Sequence, residues 1–426
     1  MGGNYRALSV LFAGLVIWVG CSVSENQQSP EMRGPIELSV LEHSWPAMAV
    51  VDWGSIDFSD PANLQKFAKA DILILETAYL WKEGRDSGAI AGLKALNPDI
   101  KILGYINAHG SWESWGEVDR SEAEYPSYMW DWYAKTRDFW SYTTTGDTMM
   151  SWPGKILLDF LNPDCRAAMV QVLSDHWYAH ENVLDGIFWD HFNSYLWVMP
   201  NISGVVGEMD LDGDGISHRE DEDEMQAYRD ASVDLISRTR RALGGDVIQI
   251  ANGQRAPADS IFAGLLDGMF YEDFPEYNYS DQKMCKALDP SVFNNLFSAK
   301  NWPSTQNGGP WLILSNPRCL TATNDDGEYL IWKRAEFNRV VGLLSGCLPV
   351  YCPQNQRNRY GWPEIEVELG LPLSGAVIDG DLVSREFELG RVVLDFSEAT
   401  AMAPFGFVIE KQGIVQQQFG MKDYLP

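Results

Sequence analysis

A (β/α)8 TIM barrel with a small C-terminal β element is the fold class this sequence predicts, on three observations. Short apolar runs recur eight times from about residue 46 onward. Amphipathic helical stretches lie between them. Beyond about residue 355 the helical periodicity gives way to alternating, turn-rich segments.

Apolar runs of this length, bounded by turn residues, read as buried parallel strands. They fall at MAVVDW (48–53), DILILE (71–76), KILGYIN (101–107), GIFWD (186–190), DVIQIAN (246–252), GMFYE (268–272), WLILSN (311–316) and CLPVYC (347–352). The intervening PANLQKFAKA, AIAGLKALNP, PDCRAAMVQVLSDHWYAH, EMQAYRDASVDLISRTRRAL, PADSIFAGLL, SDQKMCKAL and GEYLIWKRAEFNRVVGLL read as helices. Asn162 ahead of Pro163 is a helix start, with the asparagine as cap. An open doubly wound sheet shares the alternation, but eight units favour the closed barrel. Domains are therefore expected at 40–369 for the barrel and 370–426 for the β element.

The N-terminus carries a different signal. Arg6 precedes ALSVLFAGLVIWVGC, an apolar stretch of signal-peptide length ending in small residues. The Val19-Gly20-Cys21 ending resembles the bacterial lipoprotein box, with Trp18 where leucine is usual, so residues 1–21 are expected to be an export signal ending at a lipidated Cys21. Residues 22–39 are polar and aperiodic at first, as a flexible tether would be. The expected location is the bacterial cell envelope, lipid-anchored to the membrane and facing the periplasm or the cell surface. An uncleaved anchor or a plain secretory signal is the alternative.

A net charge of −28 argues against nucleic acid or an anionic membrane surface as partner, because phosphates would be repelled. The 17 Trp and 17 Tyr supply flat amphipathic rings, which fill cores and also stack on sugar rings. Five cysteines besides Cys21 (Cys165, Cys285, Cys319, Cys347 and Cys352) have neither C-x-x-C nor zinc-type spacing, and an odd count leaves at least one unpaired. No glycine-rich phosphate loop, H-E-x-x-H or G-x-S-x-G occurs, which removes support for nucleotide binding, zinc hydrolysis and serine esterase chemistry. A monomer is expected.

Chemistry in a TIM barrel sits at the C-terminal strand ends. Asp52, Glu76, Asn107, Asp190, Asn252, Glu272 and Asn316 gather at those ends, with Asp273 beside Glu272. Any one of them could be a strand-ending turn residue, yet Asp190 and Glu272 follow apolar strands with no cationic partner nearby in sequence. Two carboxylates among aromatic rings suit glycoside hydrolysis, one protonating the leaving oxygen while the other attacks or activates water. The GYINAHGSWESWGEVD stretch brings His109, Trp112, Glu113 and Trp115 into a loop that is either a sugar platform or simply packed down by its tryptophans. Asp159 reads as a supporting residue.

DLDGDGISHRED, residues 210–221, has the spacing of a calcium loop. Asp210, Asp212 and Asp214 provide side-chain oxygens, Gly215 the sharp turn, Ile216 a carbonyl, and Asp221 the twelfth-position ligand. A structural Ca2+ shaping a rim loop is expected, with a solvated acidic turn as the alternative.

The order GYINAHGSWESW, LLDFLNPDCRAAM, LDGIFWDHFNSY, FYEDFPEY resembles the endo-α-1,4-polygalactosaminidase-like glycoside hydrolases and the related hypothetical glycosyl hydrolase barrels, over roughly residues 45–355. That resemblance implies a catalytic Asp ending strand four and a catalytic Glu ending strand six, which fall on Asp190 and Glu272. It departs from the polygalactosaminidases at His191, where Asn is usual, and at Tyr271, which replaces an Asn. The implied activity is endo-acting cleavage of an extracellular polysaccharide, amino-sugar polymers included, with Asp52, Glu76, Asn107, Trp112, His191, Asn252, Asp273 and Asn316 binding substrate. A glycan-binding surface lipoprotein that kept the barrel and lost the reaction is the alternative.

Overall fold

Eight parallel strands close on themselves in sequence order. They are β1 (Ala49–Asp52), β2 (Ile72–Glu76), β3 (Lys101–Asn107), β4 (Gly186–Asp190), β5 (Ile248–Asn252), β6 (Gly268–Tyr271), β7 (Trp311–Leu314) and β8 (Leu348–Tyr351), with β8 pairing back onto β1. This computed structural model describes residues 48–52, 57–81, 87–117, 127–180, 184–192, 208–253, 260–271, 311–314, 338–345, 348–351, 368–395, 397 and 406–419. The expected TIM barrel is present.

Alternation along each strand divides the core in two. Val50, Leu73, Leu75, Ile102, Ile187, Trp189 and Ala251 pack outward with Phe67, Leu93, Met169, Leu173 and Leu235 from the helices. Ala49, Val51, Ile72, Ile74, Leu103, Phe188, Ile248 and Ile250 form the other cluster and fill the lumen. Each such side chain taken fully from water contributes about 1.5–3 kcal/mol, so the two-sided burial explains why these strands read as continuous apolar runs.

Acidic residues brace the N-terminal end of the barrel. Asp71, just before β2, accepts the Met48 amide at 2.7 Å. Asp185, just before β4, accepts the Ile102 amide at 2.8 Å and the Lys94 ammonium at 2.8 Å. Asp267, just before β6, accepts the Gln249 amide at 2.8 Å and Arg240 at 2.9 Å. In each case a carboxylate satisfies an amide where a preceding strand begins, a structural use of charge on the face opposite the rim.

Glycine at 186 is demanded by strand approach. A Cβ there would lie 2.2 Å from the Ile248 carbonyl oxygen, which belongs to backbone and cannot swing away. Gly186→Ala is expected to cost about 1–3 kcal/mol by forcing β4 from β5, read as a fall in melting temperature by thermal denaturation.

Between β3 and β4 the chain leaves the simple βα pattern. Gly110–Trp112, Lys155–Leu157 and Met150–Trp152 form a three-stranded antiparallel sheet, and Ser127–Thr136 is a helix. The Pro163–Ala179 helix follows, and the Asn162 side chain accepts the Asp164 amide at 2.9 Å as its cap. It packs against the Glu222–Leu243 helix, where Arg166 Nε meets Asp234 at 2.8 Å.

The C-terminal β element is a five-stranded antiparallel sheet: Val377–Asp379, Leu382–Phe387, Gly390–Asp395, Gly406–Lys411 and Ile414–Phe419. Gln412 and Gly413, with φ of 53° and 77°, make the two-residue hairpin before its last strand. Arg385 ties the sheet to helical residues 338–345 by donating to the Leu343 carbonyl at 2.9 Å. Among the described residues no helix is long and apolar enough to cross a membrane.

Candidate active site at the C-terminal rim

Parallel register sets Asn107 directly beside Asp190 and Phe188 beside Tyr105. On the other side Ala251 lies opposite Trp189, so Asn252 comes level with Asp190. Residues 76, 105, 107, 190 and 252 continue the lumen-facing parity of Ile74, Leu103, Phe188 and Ile250. The rim is therefore assembled from β2 to β5.

Asp190 is its centre and is only 8% exposed. Tyr105 donates its hydroxyl to Oδ2, Asn252 Nδ2 donates to Oδ1 at 2.8 Å, and Asn107 Nδ2 lies 3.4 Å from Oδ2. His191 Nε2 is 3.5 Å from Oδ2. His191 itself adopts a left-handed backbone (φ 55°), a conformation that costs energy for a residue with a Cβ and that turns the chain at the strand end.

Burial alone would push the Asp190 carboxyl up. The His191 ring, the Lys155 ammonium and the donors Tyr105 and Asn252 outweigh it and hold the group below its ordinary value, hence ionised. Burial, then the charges of Asp190 and Glu76, push the Tyr105 phenol well above its usual value, so it stays a donor.

Lys155 brings a cation to the site. It is 5% exposed, and its ammonium lies 5.4 Å from the centre of the Trp112 ring, its neighbour across the ladder. A Cβ on Gly110 would come within 3.0 Å of Lys155 Cγ and Cε, so glycine there leaves space for the lysine stem. Burial lowers the ammonium to about 8, while the charges of Asp190 and Glu76 oppose the fall. Glu76, opposite Tyr105 in the ladder, is thus a second carboxylate on the same rim.

Beneath the rim His109 is buried and pushed down to about 3, by burial first and then by His191, with Asp190 opposing and Lys155 adding to the fall. Its neutral ring is 2.6 Å from the Tyr228 hydroxyl, and its amide donates to Asn107 Oδ1 at 3.2 Å. Phe160, Phe192 and Tyr228 enclose it.

Of the residues expected here, Glu76, Asn107, His191 and Asn252 come together around Asp190, and Trp112 joins through Lys155. Asp52 shares the parity of Val50 and so falls on the helix-facing side of β1, 2% exposed. Trp189 likewise points outward and donates to Gln249 Oε1 at 3.0 Å, a core contact. Asp159 caps the approach to its helix, accepting the Leu161 and Asn162 amides. Glu272, Asp273 and Asn316 lie outside the described residues, as do Tyr195, Cys21 and every cysteine except Cys165, which is buried with its thiol pushed up to about 12 by burial. Tyr105 and Lys155 were not anticipated.

In the 210–221 loop the acidic side chains turn back onto backbone amides. Asp210 accepts the Gly213, Asp214 and Gly215 amides at 2.7, 3.1 and 2.9 Å. The Ile216 side chain is exposed and its amide donates to Asp214. Asp221 caps the Glu222–Leu243 helix by accepting the Asp223 and Glu224 amides. Its carboxylate still groups with those of Asp212 and Asp214.

A closed βα barrel with an ionised, buried carboxylate at its C-terminal rim is the architecture of the barrel glycosidases. The chain belongs to hypothetical glycosyl hydrolase family 15, whose model matches residues 94–309. No curated protein sequence matches it. Similar solved structures include an α-galactosidase from Geobacillus stearothermophilus (10% identity, TM-score 0.37, 88% of this chain and 49% of that one). Others are an α-galactosidase from Lactobacillus brevis (12%, 0.40, 83% and 46%) and a maltogenic α-amylase from Thermotoga neapolitana (10%, 0.44, 88% and 96%). The chain spans about half the length of the two α-galactosidases.

Proposed function

We propose that this chain is an exported glycoside hydrolase, held at the bacterial cell envelope by a lipid on Cys21, that cleaves an extracellular polysaccharide within the chain. Asp190 is its nucleophile and Glu272 its general acid and base. The observation that carries the reading is Asp190 itself, a buried carboxylate kept ionised and fixed in direction by donors on both oxygens. A nucleophile needs both properties, since attack on the anomeric carbon requires charge and alignment at once. Phe270 shares the lumen with Phe188, their rings meeting edge to face at 5.3 Å, and Glu272 is preferred to Asp273 because the family resemblance puts the catalytic Glu at the end of the sixth strand. Asn107, Asn252, His191 and Trp112 line the sugar site. Galactosamine-containing polymers are the first substrates to try, because an amino sugar suits an acidic rim.

The test is product release from a panel of purified exopolysaccharides by the protein lacking residues 1–21, beside its Glu272→Gln and Glu76→Gln variants. Cleavage abolished in Glu272→Gln and retained in Glu76→Gln is the expected result. Loss in Glu76→Gln alone would move the acid to β2. Glycan retention with no cleavage of any polymer would make the chain a glycan-binding protein.

A further inference from the structure

Behind the acidic loop that follows Met209–Asp210, the first turn of the Glu222–Leu243 helix holds a carboxylate that the proposed reaction does not use. Glu224 is 3% exposed. Its Oε1 accepts the Leu211 amide, whereas its Oε2 is shut off from solvent and has no hydrogen-bond partner. An orphaned, buried carboxylate oxygen is costly in the absence of a compensating charge. Glu224 also offers an oxygen within 4.8 Å of those of Asp210 and Asp212, so three carboxylates converge beside one oxygen that has no donor.

We infer that Asp210, Asp212 and Glu224 bind a divalent cation, calcium by preference, which fastens the start of the Glu222–Leu243 helix to the rim loop. The donor set is oxygen only, which suits a hard ion and disfavours copper or zinc. The loop spacing and flexible carboxylates suit the larger, less exacting shell of calcium over the strict octahedron of magnesium. Asp221 is the residue that twelve-residue spacing nominates, but its carboxylate caps the helix. Glu224 stands three residues further on and reaches back into the loop.

Such a clamp has a route to the active site. Tyr228 lies one turn beyond Glu224 on the same helix and meets His109 at 2.6 Å. His109 in turn donates its amide to Asn107, the neighbour of Asp190. The cation would steady the wall behind the nucleophile without touching it, so this site stands whether or not the chain hydrolyses glycans.

The experiment is direct binding of metal to the chain lacking residues 1–21, stripped with chelator. Terbium emission sensitised through Tyr142, which pairs with Asp210 in the ladder, reports occupancy, and calcium displaces it in a titration. Saturable one-site binding is expected, weakened by more than about tenfold in Glu224→Gln and in Asp212→Asn, and unchanged in Asp221→Ser, where serine preserves the cap. Because Asp212 is exposed, its variant decides the matter even if Glu224→Gln does not fold. Wild-type affinity in folded Glu224→Gln, wild-type affinity in Asp212→Asn, or no saturable binding by folded wild type would each overturn the assignment.

Discussion

Asp190→Asn is expected to lower turnover by at least about a thousandfold, on the order of 4 kcal/mol of transition-state stabilisation, while the barrel stays folded. Asparagine matches the shape of aspartate and keeps one oxygen to accept from Tyr105. The new amide would face Asn252, whose own amide can turn to present its oxygen. What is lost is the negative charge, and with it both the attack on the anomeric carbon that we propose and the partner of Lys155. Steady-state hydrolysis of the active polymer, with thermal denaturation alongside, reads the two effects separately. A loss under about tenfold in a folded variant would remove Asp190 from the chemistry. Tyr105→Phe refines the point. It spares the carboxylate but removes a donor that lowers its pKa, so the acidic limb of the rate profile should move to higher pH.

Strands β1 to β5 were legible because they are buried on both faces and therefore read as apolar runs ended by a polar residue. Their termini fall within one or two residues of those expected, and Asn107, Asp190 and Asn252 follow from the same endings. Tyr105 was missed although the signal existed: it stands two residues before Asn107, so alternation puts both on one face. Lys155 had no local signal. It reaches the rim because Lys155 pairs with Trp112 across a small antiparallel sheet, a contact between residues far apart in the chain. Asp52 illustrates the opposite error, for a polar residue at a strand end faces the lumen only if its parity agrees, and Val50 fixes that parity outward. The Asp221 to Glu224 interval, an Asp-x-x-Glu at a helix start, is a capping pattern that was overshadowed by the calcium-loop spacing.

Charge is thus sorted along the barrel axis. Asp71, Asp185 and Asp267 at one end each meet a backbone amide and do structural work. Asp190 and Glu76 at the other end act on a buried lysine. From sequence, only the acids at the C-terminal ends were legible; the hydrogen-bond partners separate the two uses.

Lys155→Met should alter the pH dependence of both rate and stability, in directions fixed by the buried ammonium. Burial brings that group from 10.5 to about 8, so in the wild type it is charged at neutral pH and loses its proton through about pH 8. Once neutral it no longer favours the ionised form of Asp190, and the rate should fall on the alkaline side. Methionine fills a similar volume without the charge, so the alkaline limb should vanish from a lowered plateau and the acidic limb should shift upward. For stability, the folded pKa lies below the unfolded one. Between about 8 and 10.5 the unfolded chain binds more protons, so wild-type stability contributed by this group rises with pH across that window. The penalty is fully present below about pH 8 and amounts to about 3 kcal/mol. The methionine variant lacks it, so its stability relative to wild type should decline by that order between pH 7 and pH 10.5, measured by denaturant unfolding at both. A difference that stays constant with pH would mean that Lys155 titrates as an ordinary lysine and does not govern Asp190.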